Sequence, residues 1–328
     1  MSSAIVLEGV TKTFGRKVAV NDLDLDVPAG AIYGFIGPNG AGKTTAIRMI
    51  MSIIFADSGD ISVLGNASAL EAKDRIGYLP EERGIYKKMR VGSYLQYIGA
   101  LKGLPSSGLR EKVRHWLSRV GLAEVERKKC EELSKGMQQK VQLLASILHE
   151  PDLLILDEPF SGLDPVNMRM LRELIVEQNR RGATIIFSTH VMPQAEQLCD
   201  HIVMINEGQK VLDDTLASIR AQYDPRSLLF EPLDPEADIT RLRSLSGICD
   251  VTRANGVYEI SLEEGTEPSR AMALLAAAMP AARIELHRPS LEDIFIQIVM
   301  SSSESGQTRA ADLRAALRGH ESMPEESR

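Results

Sequence analysis

The chain has 328 residues and a mass of 36.0 kDa, room for one large domain and a small one. Its 44% hydrophobic and 25% charged residues suit a globular protein. A net charge of −7 speaks against general nucleic-acid affinity, which needs a surplus of lysine and arginine, and leaves room only for a local basic patch. Cys130, Cys199 and Cys249 are too scattered for a zinc pattern or a disulfide framework. No secretory leader and no apolar run of about 20 residues is visible, so any membrane-spanning part is expected on another polypeptide.

In chain order, Ile5-Val6-Leu7, Val18-Ala19-Val20, Leu23 to Val27 and Ala31 to Ile36 read as strands. A glycine-rich turn follows, then a helix from about Lys43 to Ile53. Ile76 to Leu79 reads as another strand. Tyr94, Leu95, Ile98 and Leu101, then Val113, Trp116, Leu117 and Val120, have helical spacing, giving a helical block over about 86–150. Short, wholly apolar strands return at Leu153 to Leu156, Thr184 to Phe187 and Ile202 to Ile205, with helices between. Such alternation predicts a mostly parallel sheet covered on both faces, with the helical block inserted into it. The first domain is expected over 1–220. Over 225–300 a β-α-β-β-α-β order predicts a small ferredoxin-like α+β domain, and the polar run 301–328 is expected to be a disordered tail.

Chemistry enters with Gly37-Pro38-Asn39-Gly40-Ala41-Gly42-Lys43-Thr44-Thr45, which fits the phosphate-loop pattern between a buried strand and a helix. Glycines let backbone N–H groups turn toward phosphate oxygens, and the helix start adds its positive dipole end. Lys43 is expected to reach the β- and γ-phosphates of ATP, and Thr44 to ligate Mg²⁺. Leu153 to Leu156 ends in Asp157-Glu158, which supplies one carboxylate for the metal and one for the attacking water. Asp157 is assigned to Mg²⁺ and Glu158 to general-base duty.

Leu133-Ser134-Lys135-Gly136-Met137-Gln138-Gln139, lying between those two motifs, resembles the signature segment of ATP-binding-cassette (ABC) proteins. Ser161-Gly162-Leu163-Asp164 looks like the D-loop, His190 like the switch histidine, and Phe14 like the aromatic that stacks on adenine. The resemblance covers residues 4 to about 218. It implies a P-loop NTPase, RecA-like core with an antiparallel β subdomain and the helical insertion. It also implies ATP bound by Phe14, the loop Gly37 to Thr45, Ser134, Gly136 and Asp164, with Lys43, Glu158 and His190 catalytic. In this family Ser134 and Gly136 meet the γ-phosphate held by the opposite subunit. One phosphate loop and one signature per chain therefore imply a dimer, homomeric or heteromeric, that closes around two ATP molecules.

Two positions depart from the family pattern. Glu81 stands where a glutamine is usual, as a further candidate contact to Mg²⁺, and Lys135 and Met137 replace the usual glycine and glutamine of the signature. Residues Leu79 to Lys88 and the helical block are implied to grip a short helix of a separate transmembrane permease, placing the chain at the cytoplasmic face of the membrane. The Glu81-Glu82-Arg83-Gly84 variant, the signature and Pro289-Ser290-Leu291-Glu292-Asp293-Ile294-Phe295 look like ABC-2-type exporter ATPases of the sodium-efflux and drug-resistance kind. Two other readings stand against transport. One is a soluble ABC ATPase acting on ribosomes or DNA; the acidic balance, the single cassette and the lack of a sustained heptad disfavour it. The other is a regulatory ATP binder with weak hydrolysis.

Overall fold

The structure is a computed structural model and describes residues 2–301 except 83, 224, 225 and 255; of the tail expected over 301–328, Ser301 ends a helix and residues 302–328 lie outside the described residues. The described residues divide into one compact unit of residues 2–216, which also takes residues 298–301, and a second, Ala217–Gln297.

The first unit opens with a long hairpin, β1 (Ser3–Phe14) and β2 (Lys17–Pro28), and β4 (Ser58–Val63) pairs with the far edge of β1. These form an antiparallel sheet in the order β2-β1-β4. Val18-Ala19-Val20 and Leu23 to Val27, expected as separate strands, belong to this one β2: register shifts in its pairing absorb the polar Asn21-Asp22 step.

The second sheet has six strands, in the order Ile76–Leu79 (β5), Leu153–Asp157 (β6), Thr184–Thr189 (β7), Ile32–Ile36 (β3), His201–Asn206 (β8) and Gln209–Thr215 (β9). β3, β5, β6, β7 and β8 are parallel neighbours, and β9 returns antiparallel at the edge. Every residue of β3, β6 and β7 is buried, which explains their unbroken apolar runs. Ile5, Phe35, Ile47, Ile155 and Ile186 share one core between the two sheets and α1 (Lys43–Ile50), a helix that stops short of the expected Ile53.

The inserted helices are α2 (Val91–Leu101), α3 (Leu109–Arg119) and α4 (Lys135–Ile147); Val91, Leu95, Val113, Trp116 and Leu117 are their buried stripe. Ser134 caps α4 by accepting from the Met137 N–H at 3.3 Å. Asp164 caps α5 (Pro165–Arg180), accepting from Val166 and Asn167 N–H at 3.0 Å each, with Pro165 in the first turn. The short helix α6 (Met192–Leu198) joins β7 to β8, and α7 (Leu216–Gln222) follows β9.

The second unit contains β10 (Ser227–Pro232), β11 (Ile248–Ala254), β12 (Val257–Leu262), α8 (Pro268–Ala278) and β13 (Ala281–Leu286), and α9 (Leu291–Ser301) begins there. The sheet runs β11-β12-β10-β13, antiparallel throughout, the order of a split β-α-β arrangement. Its first crossover is a 3₁₀ turn, Ile239–Ser244, where an α-helix was expected. Leu228, Phe230, Ile260 and Leu275 centre its core.

Candidate nucleotide site

Strand β3 delivers the chain into the loop at Gly37, and two glycines of that loop admit no side chain. A Cβ on Gly37 would stand 2.1 Å from the Ile205 carbonyl oxygen, and one on Gly42 would stand 2.4 Å from that of Ala19. Gly42, at φ 111°, is also the N-cap of α1, so the helix starts directly beneath the loop. The loop bounds a pocket of about 360 Å³ lined by Phe14, Lys17, Ala19, Asn39 to Thr45, Glu81 and Glu158. That volume falls within the range of small-molecule sites. Lys17 and Ala19 are additions to the expected set; they come from β2 and carry no motif.

Lys43 is buried, and its Nζ donates to the carbonyls of Gly37 at 2.7 Å and Pro38 at 3.1 Å. Burial pulls its ammonium below the ordinary lysine value, against the opposing pull of Glu158, Asp157 and Glu81. One cation thus faces three carboxylates. Burial likewise raises the Asp157 carboxyl, with hydrogen bonds from Ser188 and Thr44 opposing. Glu81, exposed at the pocket wall, is pushed up by partial desolvation there and then by Asp157 and Glu158.

Asp157 Oδ1 accepts from Ser188 Oγ at 2.5 Å and from Thr44 Oγ1 at 3.5 Å, while its Oδ2 is buried with no hydrogen-bond partner among the described residues. An orphaned buried carboxylate oxygen beside a hydroxyl, in a pocket that is itself rich in negative charge, fits a hard divalent cation. The donors Thr44 and Asp157 therefore suit Mg²⁺.

Glu158, at φ 49°, turns out of β6, and its backbone N–H donates to Ser188 O at 3.2 Å. Its Oε1 accepts from the His190 backbone N–H at 2.9 Å and lies 2.7 Å from His190 Nδ1; its Oε2 accepts from Thr189 Oγ1 at 3.3 Å. Parallel pairing of Asp157 with Ser188 brings these groups together. Ser188 and Thr189 hold no role in the expected set, though two buried hydroxyls ending an apolar strand are a visible signal for one.

Phe14 lies at the end of β1, 51% exposed and on the pocket wall, with Lys12 Nζ 5.6 Å from its ring centroid. The structure thus gathers Phe14, residues 39–45, Glu81 and Glu158 around one pocket, with His190 and Asp157 touching its members. Ser134, Gly136 and Asp164 are not among the pocket's lining residues. Gly136 instead neighbours Leu163 and Asn167 in the same chain.

Residues 20–161 match the ABC transporter family, and residues 215–299 match the C-terminal domain of ATP-binding proteins like DrrA1-3. The chain is 39% identical to the ABC transporter ATP-binding protein YhaQ of Bacillus subtilis, over 90% of this chain and 98% of that one. It is 33% identical to the bacitracin transport ATP-binding protein BcrA of Enterococcus faecalis, over 91% and 97% of the two chains. The linearmycin resistance ATP-binding protein LnrL of Bacillus subtilis is 30% identical over 89% and 96%. A solved ATP-binding subunit of an ABC transporter superposes with a TM-score of 0.63 at 30% identity, covering 67% of this chain and 93% of that one. Among the described residues no helix is long and apolar enough to cross a membrane. With a phosphate loop, a carboxylate pair and a capped signature helix arranged as above, the chain belongs to the ABC transporter ATP-binding proteins, the family that hydrolyses ATP to drive transport.

Proposed function

We propose that this chain powers an exporter by closing, with a second ATP-binding subunit, around two molecules of ATP. The observation that carries the reading is the split of the site. Lys43, Glu81 and Glu158 face one pocket, whereas Ser134 and Gly136, at the start of α4, do not line it. A helix N-terminus is an anion site, and this one does not line its own chain's pocket. A second subunit supplies the missing half.

In this reading the loop amides and Lys43 hold the β- and γ-phosphates, Phe14 stacks on the base, and Asp164, at the cap of α5, joins the ATP contacts. Thr44 and Asp157 hold Mg²⁺, with Glu81 near enough in the pocket to join them; the cation would offset phosphate charge and polarise the γ-phosphate. Glu158 takes the proton of the attacking water. His190 fixes the carboxylate oxygen that does so.

Export is the direction supported by the relatives: one similar protein is named for Nod factor export and another for linearmycin resistance. A separate permease forms the path, and it is gripped by residues 79–88 with the inserted helices at the cytoplasmic face of the membrane. The C-terminal unit, expected over 225–300, is an accessory domain of this motor. The test is light scattering of Glu158→Gln with Mg-ATP. The reading expects a stable dimer that falls to monomer without nucleotide; a strict monomer under both conditions refutes it.

A further inference from the structure

The sheet of the second unit has two edge strands, β11 and β13, and they are finished differently. At β11 side chains take the backbone groups of Val251: its N–H donates to Asp250 Oδ1 at 2.8 Å, and its carbonyl accepts from Arg243 Nη2 at 2.9 Å. The pairing of β11 is also shifted between Ile248 and Asp250, an irregularity that blunts an edge.

Over Arg283 to Leu286, β13 has neither device. Its register with β10 is unbroken from the pair of Leu228 with Leu286 to that of Glu231 with Arg283. The His287 N–H donates to Ser227 O at 2.8 Å, which fixes the phase of the ladder. Glu285 and Arg283 therefore turn their backbone groups toward β10, and Ile284 and Leu286 turn theirs to the open side. Among the described residues no strand pairs with that side. Such an edge is a template for another strand.

Arg283 and Glu285 stand on one face of β13, 3.3 Å apart and about half exposed. The order Arg-Ile-Glu is its own complement. When two such strands run antiparallel about Ile284, each Arg283 opposes the partner's Glu285. Ile284 then exchanges both backbone hydrogen bonds with its counterpart, and the charged residues fall at the closer positions, about 4.5 Å between Cα atoms. One register satisfies the backbone and the charges together.

We infer that β13 pairs with β13 of a second copy of this chain, joining two four-stranded sheets into one. The inference rests on the two-subunit reading of the function and names the second subunit as an identical chain. A six-residue strand buries too little to hold a dimer by itself, since stable interfaces bury about 1,200 Å² or more. The pairing forms between chains that ATP has already brought together, at an effective concentration on the order of millimolar.

The test is charge reversal in the full chain carrying Glu158→Gln, with Mg-ATP-driven dimerisation followed by analytical ultracentrifugation. Arg283→Glu alone, and Glu285→Arg alone, set like charges across the axis twice, and each should weaken dimerisation about 10-fold. An equimolar mixture of the two variants pairs opposite charges again, although neither keeps the ion pair within its own strand. Affinity in the mixture should return to within about two-fold of the parent. Chains that fail to fold cannot complement each other, so the mixture also controls for folding. With the exposed Cys249 replaced by Ser, Arg283→Cys mixed with Glu285→Cys should form an interchain disulfide in Mg-ATP, and neither alone should. Unchanged affinity in the single variants, or a mixture without recovery or without the link, overturns the inference and leaves the two-subunit reading standing. A parent that stays monomeric with Mg-ATP overturns both.

Discussion

His190 Nδ1 lies 2.7 Å from Oε1 of Glu158, and the His190 backbone N–H donates to that same oxygen at 2.9 Å. With Thr189 Oγ1 on Oε2, both oxygens of the carboxylate are held by Thr189 and His190, where the chain leaves β7. Glu158→Gln removes the proton acceptor and is expected to lower turnover about 10²- to 10⁴-fold. His190→Ala leaves the backbone and Thr189 contacts and should cost less. Phosphate release, measured beside equilibrium ATP binding, checks both; ATP affinity should hold in each variant.

Asp157 bears on pH and stability together. Burial puts its folded-state carboxyl above the unfolded value, so the native chain binds more protons between the two values, and stability falls as pH rises through that window. Asp157→Asn removes the buried charge. In metal-free protein at pH 8 it is expected to raise the first thermal transition by about 2–4 °C, equivalent to about 1 kcal/mol in a unit this size. The gain should shrink as pH is lowered, and Mg-ATP affinity should drop. Calorimetry at two pH values reads the sign.

The phosphate loop tolerates no bulk at its entrance. In Gly37→Ala the new methyl meets the backbone oxygen of Ile205, which cannot rotate aside. A loss of about 1–3 kcal/mol in stability is expected, as for overpacking elsewhere, together with lost ATP binding. Urea titration and fluorescent-nucleotide binding are the checks.

Arg119 of α3 donates to both oxygens of Glu177 on α5, at 3.0 and 2.6 Å. The two side chains are about a third exposed, so water screens the pair. Glu177→Gln should cost less than about 1 kcal/mol in low salt, and nothing measurable in 1 M salt. A larger loss in urea unfolding would mean that the pair anchors the inserted helices.

Much of this architecture was legible in the sequence because the central strands are wholly buried and so wholly apolar, as in Leu153 to Leu156. Two strands were not. β4, Ser-Gly-Asp-Ile-Ser-Val, is exposed at its start, and β9, Gln-Lys-Val-Leu-Asp-Asp-Thr, is an edge strand with no fully buried residue; neither offers an apolar run or clean alternation. The phosphate loop is a local motif and therefore readable. The contact between Glu158 and His190 spans 32 residues and depends on β6 pairing with β7, so only the resemblance to a family pointed to the histidine.

The most direct test of the two-chain site is cysteine cross-linking of Asn39→Cys with Ser134→Cys, in a background where the exposed Cys249 is replaced by Ser; Cys130 and Cys199 are buried. With Glu158→Gln also present and Mg-ATP added, the account predicts a disulfide between position 39 of one subunit and position 134 of another, absent without nucleotide. A link formed only within one chain, or no ATP-dependent link while the wild type hydrolyses ATP normally, would contradict it.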